Sequence, residues 1–437
     1  MDMRTSRIQL RCLVAGAILA WVLGAGLTVA ASREVYRMRV AGVIAPGVAR
    51  YIDRVVREAE QANATAVLIE LDTPGGLLKS TDDITKTMLN ARVPVIVYIT
   101  PSGGRAASAG VFITYAANIA AMAPATHLGA AHPVNAGGGG QADATLTEKI
   151  TNDAVANVRA IARRRGRNPD WAEDAVRKSV SIGEVEAVQL QVVDLIAKDV
   201  PELLDKIDGR EVETLAGPVR LQTRNAPTRA IDMDGGERAL DLLSDPNIGL
   251  ILLTIATYGI IFELSNPGAV LPGVVGAIAL VLGFASFAIL EVNVAGVALI
   301  ALSFLFFIAD IKVPSHGVLT TGGILSFILG ALFLTSRQAP LLRVSLQLIL
   351  FLALLTGAFF IFAVGAGVRA QRAVVRSGRE GLLGAKGVAR TALSPEGTVR
   401  VAGETWTAMA EGGDVAEGES VTVVGTDSLR LRVRRIR

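Results

Sequence analysis

Apolar positions along the chain follow three successive spacings, and each marks a different kind of structure. Residues 34–210 alternate short apolar runs with segments of helical spacing. Residues 35–44 are strand-like, and over 49–62 the apolar residues Ile52, Val55, Val56 and Ala59 recur at helical intervals. A strand at 65–71, a helix at 77–89 and a buried strand at 93–99 follow. An apolar helix then starts at Val111, with helices over 147–162 and within 170–193 and a return to the sheet at 192–197. This βαβα order predicts an α/β fold with a largely parallel sheet, in which loops at the carboxyl ends of strands hold the chemistry. Residues 209–229 are polar and β-like, and Ala239, Leu240, Leu242 and Leu243 suit a short interfacial helix.

The alternation then gives way to five apolar runs, at 247–264, 271–290, 293–310, 317–336 and 344–368. Each is near the roughly 20 residues that a helix needs to cross a bilayer core. After 384 the pattern changes again, to five short β runs separated by glycine-rich turns. Five such strands without a helix predict a small closed barrel of OB type.

Composition supports this division. The chain has 437 residues, 51% hydrophobic and 19% charged, against about 25% charged in an ordinary soluble domain. Residues 246–368 hold only six charges: Glu263, Glu291, Asp310, Lys312, Arg337 and Arg343. That density excludes a wholly soluble protein, while the ordinary charge content elsewhere argues against a fully embedded transporter. No run carries a pair of charges that would mark an ion path.

Arg4, Arg7 and Arg11, an apolar stretch and a small-residue end at Val29-Ala30-Ala31-Ser32 describe a secretory signal peptide over 1–31. The following domain, 32–230, is therefore expected outside the cytosol, joined by a linker at 231–246 to a membrane domain at 247–368. An odd number of spans leaves the carboxyl-terminal domain, 380–437, in the cytosol. Arg369, Arg372, Arg376 and Arg379 after the last run fit the positive-inside rule. The count drops to four if the second and third runs form a re-entrant pair. Cys12 is the single cysteine, which excludes an intrachain disulfide, a CxxC pair and a thiolate zinc site. Neither a metal nor a cofactor is expected. The net charge of +3 indicates no nucleic-acid partner, and the barrel offers only Trp406 for stacking among many acidic residues.

Two loops of the first domain stand out. Asp72-Thr73-Pro74-Gly75-Gly76 follows the second strand, and a run of small residues containing Ala106-Ala107-Ser108-Ala109-Gly110 follows the third. A serine at a helix start can be a plain N-cap. It can also be a nucleophile beside the positive end of the helix dipole, with glycine N–H groups nearby as donors to an oxyanion. A nucleophilic serine needs a base. Lys149 and His132 are the candidates, His127 suits a turn, and Asp174 or Asp194 could complete a triad with His132.

These motifs, with Met122-Ala123-Pro124-Ala125-Thr126, Gly129-Ala130-Ala131-His132-Pro133, Lys149-Ile150-Thr151-Asn152 and Phe262-Glu263-Leu264-Ser265-Asn266-Pro267-Gly268, resemble the NfeD family over the whole chain. Its members are membrane-bound ClpP-class serine proteases encoded beside stomatin-like proteins. The resemblance implies a ClpP/crotonase-like α/β domain, a multi-span helical membrane domain and a terminal OB-type barrel. It implies a Ser–Lys dyad of Ser108 and Lys149, with oxyanion donors from Gly76 and Ala109 and a loop shaped by Gly75. His132 is the alternative base, in a Ser–His–Asp arrangement. The implied substrates are hydrophobic segments of membrane-associated proteins, such as stomatin-like (SPFH/band 7) partners. By analogy with ClpP-class domains, at least a homodimer at a bacterial-type inner membrane is expected. Two rivals remain: a crotonase-type acyl-CoA enzyme, and a membrane scaffold without proteolysis.

Overall fold

The structure, a computed structural model, describes residues 34–134, 144–265, 268, 270–290, 292–313, 315, 317–334, 343–372, 379–427 and 429–436. The expected signal peptide lies outside the described residues. The described chain divides into two compact units, one ending at Gly357 and the other starting at Ala358.

The first unit is built on a parallel sheet of β1 (Val35–Ala41), β2 (Ala66–Asp72), β3 (Val95–Ile99), β5 (Ile119–Met122), β8 (Leu195–Ile196) and β11 (Thr228–Ala230), in the order β11-β1-β2-β3-β5-β8. The strands are apolar on both faces because helices cover both. Met38, Val40, Ile69, Leu71, Val97 and Ile99 pack with Ile52 and Val55 of α1 (Pro46–Gln61) and with Ile84 and Met88 of α2 (Leu78–Leu89). Leu68, Ile96 and Tyr98 pack on the other side, against Leu203, Leu204 and Ile207. The helical pattern of α1 was legible because its buried positions fall on one stripe, and Pro46 opens it where no N–H is needed.

A second, three-stranded sheet of β4 (Arg105–Ala107), β6 (His127–Gly129) and β7 (Ser181–Gly183) stands at the carboxyl edge of the first. Its strands are too short for their periodicity to be seen in sequence. α3 (Ala109–Ala116) follows β4, α4 (Ala144–Arg164) packs on α3, and α5 (Pro169–Arg177) packs on α4. Within the predicted helical stretch 170–193, only α5 and α6 (Glu184–Gln189) are helices, with β7 between them. α7 (Val200–Ile207) and a hairpin of β9 (Glu211–Thr214) and β10 (Gly217–Arg220) cover the second face.

The short helix expected over Ala239–Leu243 is present as α8 (Gly235–Leu243), opened by a reciprocal capping box of Asp234 and Glu237. It lies against α1 at Gly47, where a Cβ would come within 2.6 Å of the Glu237 carbonyl oxygen. Arg54 Nε donates to Glu237 Oε1 at 2.7 Å, Arg54 Nη2 donates to the Asp232 carbonyl, and Tyr51 donates to the Ile231 carbonyl. The linker is thus fastened to the α/β domain rather than loose.

Five apolar helices follow: α9 (Pro246–Ser265), α10 (Val270–Leu290), α11 (Val294–Lys312), α12 (Val318–Phe333) and α13 (Leu346–Arg372). Among the described residues, α9 and α10 are long and apolar enough to cross a membrane. α9 packs on α10 and α11 on α12. Small residues allow the close approach. A Cβ on Gly259 would lie 2.5 Å from the Pro272 carbonyl, and one on Gly296 would lie 2.6 Å from Leu334 Cα.

The second unit ends in a closed barrel of β12 (Lys386–Ala389), β13 (Glu396–Val401), β14 (Glu404–Ala410), β15 (Ser420–Asp427) and β16 (Arg430–Arg435), ordered β12-β13-β14-β16-β15 and closed by β15 on β12. The parallel β14–β16 pair among antiparallel neighbours suits an OB-type barrel. Trp406 packs against the apolar core, which includes Val399, Val401, Leu431 and Val433. Three arginines of β16 are ion-paired: Arg430 with Glu396, Arg432 with Glu411 and Arg435 with Glu419.

Candidate active site

The carboxyl ends of β2 and β3 lead into the two loops singled out by sequence, and the structure brings them together. β4 runs beside the β2 loop: Thr73 N donates to the Arg105 carbonyl, and Ala107 N donates to the Thr73 carbonyl. Ser108 therefore arrives directly over Gly75. A Cβ on Gly75 would lie 2.7 Å from Ser108 Cβ and 3.2 Å from its Oγ, and Gly75 has φ +125°. Glycine is required there on both counts.

Ser108 occupies the N-cap position of α3 with φ 52° and ψ −110°, and its hydroxyl caps none of the helix N–H groups. The plain N-cap reading is therefore not what the side chain does. A non-glycine residue in this sparsely populated region costs about 1–3 kcal/mol and has to be held by its surroundings. The Gly129 carbonyl supplies part of that hold, accepting from Ser108 N at 3.0 Å. The resulting sharp strand-to-helix turn leaves the side chain half-buried rather than packed away.

Gly76 follows the glycine that Ser108 contacts, and Ala109 follows Ser108 itself. Gly75 N is already committed, donating to Thr73 Oγ1 at 3.0 Å. Among the described residues, no protein acceptor takes the N–H of Gly76 or of Ala109. Gly76 is held in a short parallel bridge with Ile44: Ile44 N donates to the Gly75 carbonyl at 2.8 Å, and Leu77 N donates to the Ile44 carbonyl at 2.9 Å. A Cβ on Gly76 would lie 2.2 Å from the Ile44 carbonyl oxygen, so this contact also demands glycine.

The candidate bases are placed differently. Lys149 is exposed near the start of α4, whose body packs on the Ser108 helix, and no hydrogen bond joins it to Ser108 among the described residues. His132 is half-buried, and its Nδ1 bonds the Val176 carbonyl at 2.9 Å. Neither triad carboxylate reaches it. Asp174 pairs with Lys178 at 2.9 Å. Asp194 accepts from Ala120 N and from Arg167 Nη2, both at 2.6 Å. Arg167 is buried and also donates to the Tyr115 and Ala117 carbonyls, so this pair braces the sheet.

Sequence reasoning missed Thr73, Ile44 and Gly129, which build the site without acting in it. Thr73 is fully buried with its hydroxyl on Gly75. Thr73 and Gly129 lie within quoted motifs, but nothing in the sequence showed what they do. Among the described residues, no group of His, Cys, Asp and Glu is arranged to hold a metal ion.

Three family descriptions match in chain order: "NfeD1b, N-terminal domain" over 34–205, "NfeD integral membrane domain" over 247–366, and "NfeD-like C-terminal, partner-binding domain" over 379–435. The membrane-bound protease PH1510 of Pyrococcus horikoshii is 34% identical over 416 residues, covering 93% of this chain and 94% of its own. The chain belongs to the NfeD family. Membrane protein NfeD1b of Bacillus subtilis is 28% identical over 446 residues, 98% of each chain. A solved lysine-to-alanine variant of the 1510-N membrane-bound stomatin-specific protease, in complex with a substrate peptide, is 32% identical and covers 47% of this chain and 95% of its own, with a TM-score of 0.44. The NfeD assignment makes this a membrane protein, with the Ser108 site in its N-terminal domain and the barrel as its C-terminal one.

Proposed function

We propose that this NfeD protein is a membrane-bound serine endopeptidase that cleaves hydrophobic segments of membrane-associated proteins, with a stomatin-like protein as substrate or partner. The observation that carries the reading is Ser108 held in a strained turn over Gly75, with the N–H groups of the adjoining Gly76 and Ala109 taken by no acceptor among the described residues. Two donors beside a nucleophile are what acyl transfer requires. The full-length relative named as a membrane-bound protease supports the reaction class.

In the proposed reaction, Ser108 Oγ attacks the scissile carbonyl carbon as its proton passes to Lys149 Nζ, the general base. The N–H groups of Gly76 and Ala109 hold the oxyanion, and Gly75 shapes the loop. Lys149 then protonates the leaving amine, and water releases the acyl group from Ser108 by the same path reversed. Lys149 is favoured over a Ser108–His132–Asp triad because both candidate aspartates serve other partners. Bonds to a catalytic base often tighten only with substrate present. The reading includes an extracytoplasmic protease domain at an inner membrane, a cytoplasmic barrel and at least a homodimer.

Incubating the full-length protein with the carboxyl-terminal segment of the neighbouring stomatin-like protein tests this. Wild type is expected to cut the segment and to react with a fluorophosphonate, and Ser108→Ala to do neither. Labelling or cleavage that survives Ser108→Ala overturns the assignment, and an inert wild type favours the scaffold.

A further inference from the structure

Leu290, the last residue of α10, is only 3% exposed, and Val43, Leu77 and Val292 are what pack against it. Many apolar side chains of this helix are open, as Val281 is at 68%, so the burial at its end is a specific contact. Val43 and Leu77 are the immediate neighbours of Ile44 and Gly76, the residues joined in the bridge that holds the Gly76 N–H, which no acceptor takes among the described residues. We infer that Leu290 is a positioning residue: the end of a membrane helix sets the register of the oxyanion strand and thereby the rate of the chemical step.

The inference rests on the serine-peptidase reading and extends it to the membrane domain. The strand at Gly75–Leu77 is secured to Ile44 by two backbone bonds. It lies beyond the end of β2, and Leu290 is the apolar support under both sides of the bridge. The linker holds the same parts together, since α8 packs on α1 through Gly47 and also against α9 and α10. Removing the Leu290 side chain leaves Ser108 and the substrate-facing surface intact but lets the Gly76 N–H drift. Misplacing a donor is less costly than deleting one, which typically takes about 10²–10³ from kcat.

The test uses the full-length protein in proteoliposomes, with a short apolar peptide substrate and a fluorophosphonate probe. Leu290→Ala is expected to lower kcat on the order of tenfold with KM little changed, and to slow Ser108 labelling in parallel. Leu290→Met, which keeps the volume, restores both, and Val281→Ala on the open face of the same helix changes neither. A Leu290→Ala protein with wild-type kcat and labelling overturns the inference while leaving the peptidase intact. A rise in KM alone overturns it too. If wild type itself shows no Ser108-dependent labelling, it is the peptidase reading that fails.

Discussion

Ser108 and Gly75 stand so close that a methyl group on position 75 would lie 2.7 Å from Ser108 Cβ. The contact ties the carboxyl end of β2 to the turn that opens α3, two segments separated in sequence by α2, β3 and β4. Gly75→Ala therefore has to push Ser108 away or abandon its own φ of +125°. The expected loss is about 10²-fold in kcat, with the far-ultraviolet circular dichroism unchanged, because a displacement near 1 Å at a nucleophile has that cost. A variant with near-normal turnover would show that the two loops are not held together as described.

The two candidate bases separate by substitution. Lys149→Ala is expected to lower kcat by about 10²–10⁴-fold, the usual contribution of a general base. Lys149→Arg should be equally inactive, since a guanidinium keeps its charge and cannot take the proton. His132→Ala should leave kcat within a few-fold of wild type and act mainly on stability, by freeing the Val176 carbonyl. Peptide turnover by the three variants decides between dyad and triad.

Asp194 offers an independent check, because it braces a buried arginine. Asp194→Ala leaves Arg167 without its carboxylate and is expected to cost about 2–3 kcal/mol of stability, less than for a fully enclosed pair because Asp194 is partly exposed. Denaturant unfolding of the folded variant measures the loss. Ser108 labelling per folded molecule should be unchanged; labelling lost together with stability would restore the triad.

The junction between linker and protease domain carries a pH signature. Burial, reinforced by Asp245, pushes the Asp241 carboxyl above its ordinary value of 3.8. A raised carboxylate binds its proton more tightly in the folded state, so it destabilises the fold as pH rises from the ordinary value through the folded one. Asp241→Asn is expected to raise the melting temperature at pH 7 and to lose that advantage near pH 4. Melting curves at the two pH values check the sign.

How far the site was legible depended on the range of the interactions. The buried strands at 65–71 and 93–99 and the helix at 77–89 could be read from periodicity, because one element's side chains share one face and report it within a few residues. The Ser108 and Gly75-Gly76 loops could be read because small residues gathered where backbone must pass closely. The sheet of β4, β6 and β7 could not be, since three-residue strands are shorter than any period that would reveal them. Thr73, Ile44 and Gly129 were hidden for a different reason: their contribution is a carbonyl, an amide or a hydroxyl directed at a partner far away in the chain.

The chain's own pattern of apolar and polar positions determined the α/β domain, the five apolar helices and the terminal barrel, because secondary structure and membrane partition respond to local spacing and hydrophobicity. Tertiary structure alone decided that Ser108 sits over Gly75 rather than capping α3, and that Asp194 belongs to Arg167. It alone placed the end of α10 under the strand that carries Gly76. Those relationships join residues 27 to more than 200 positions apart. No local pattern encodes them, since they arise only when packing brings distant backbone segments into contact.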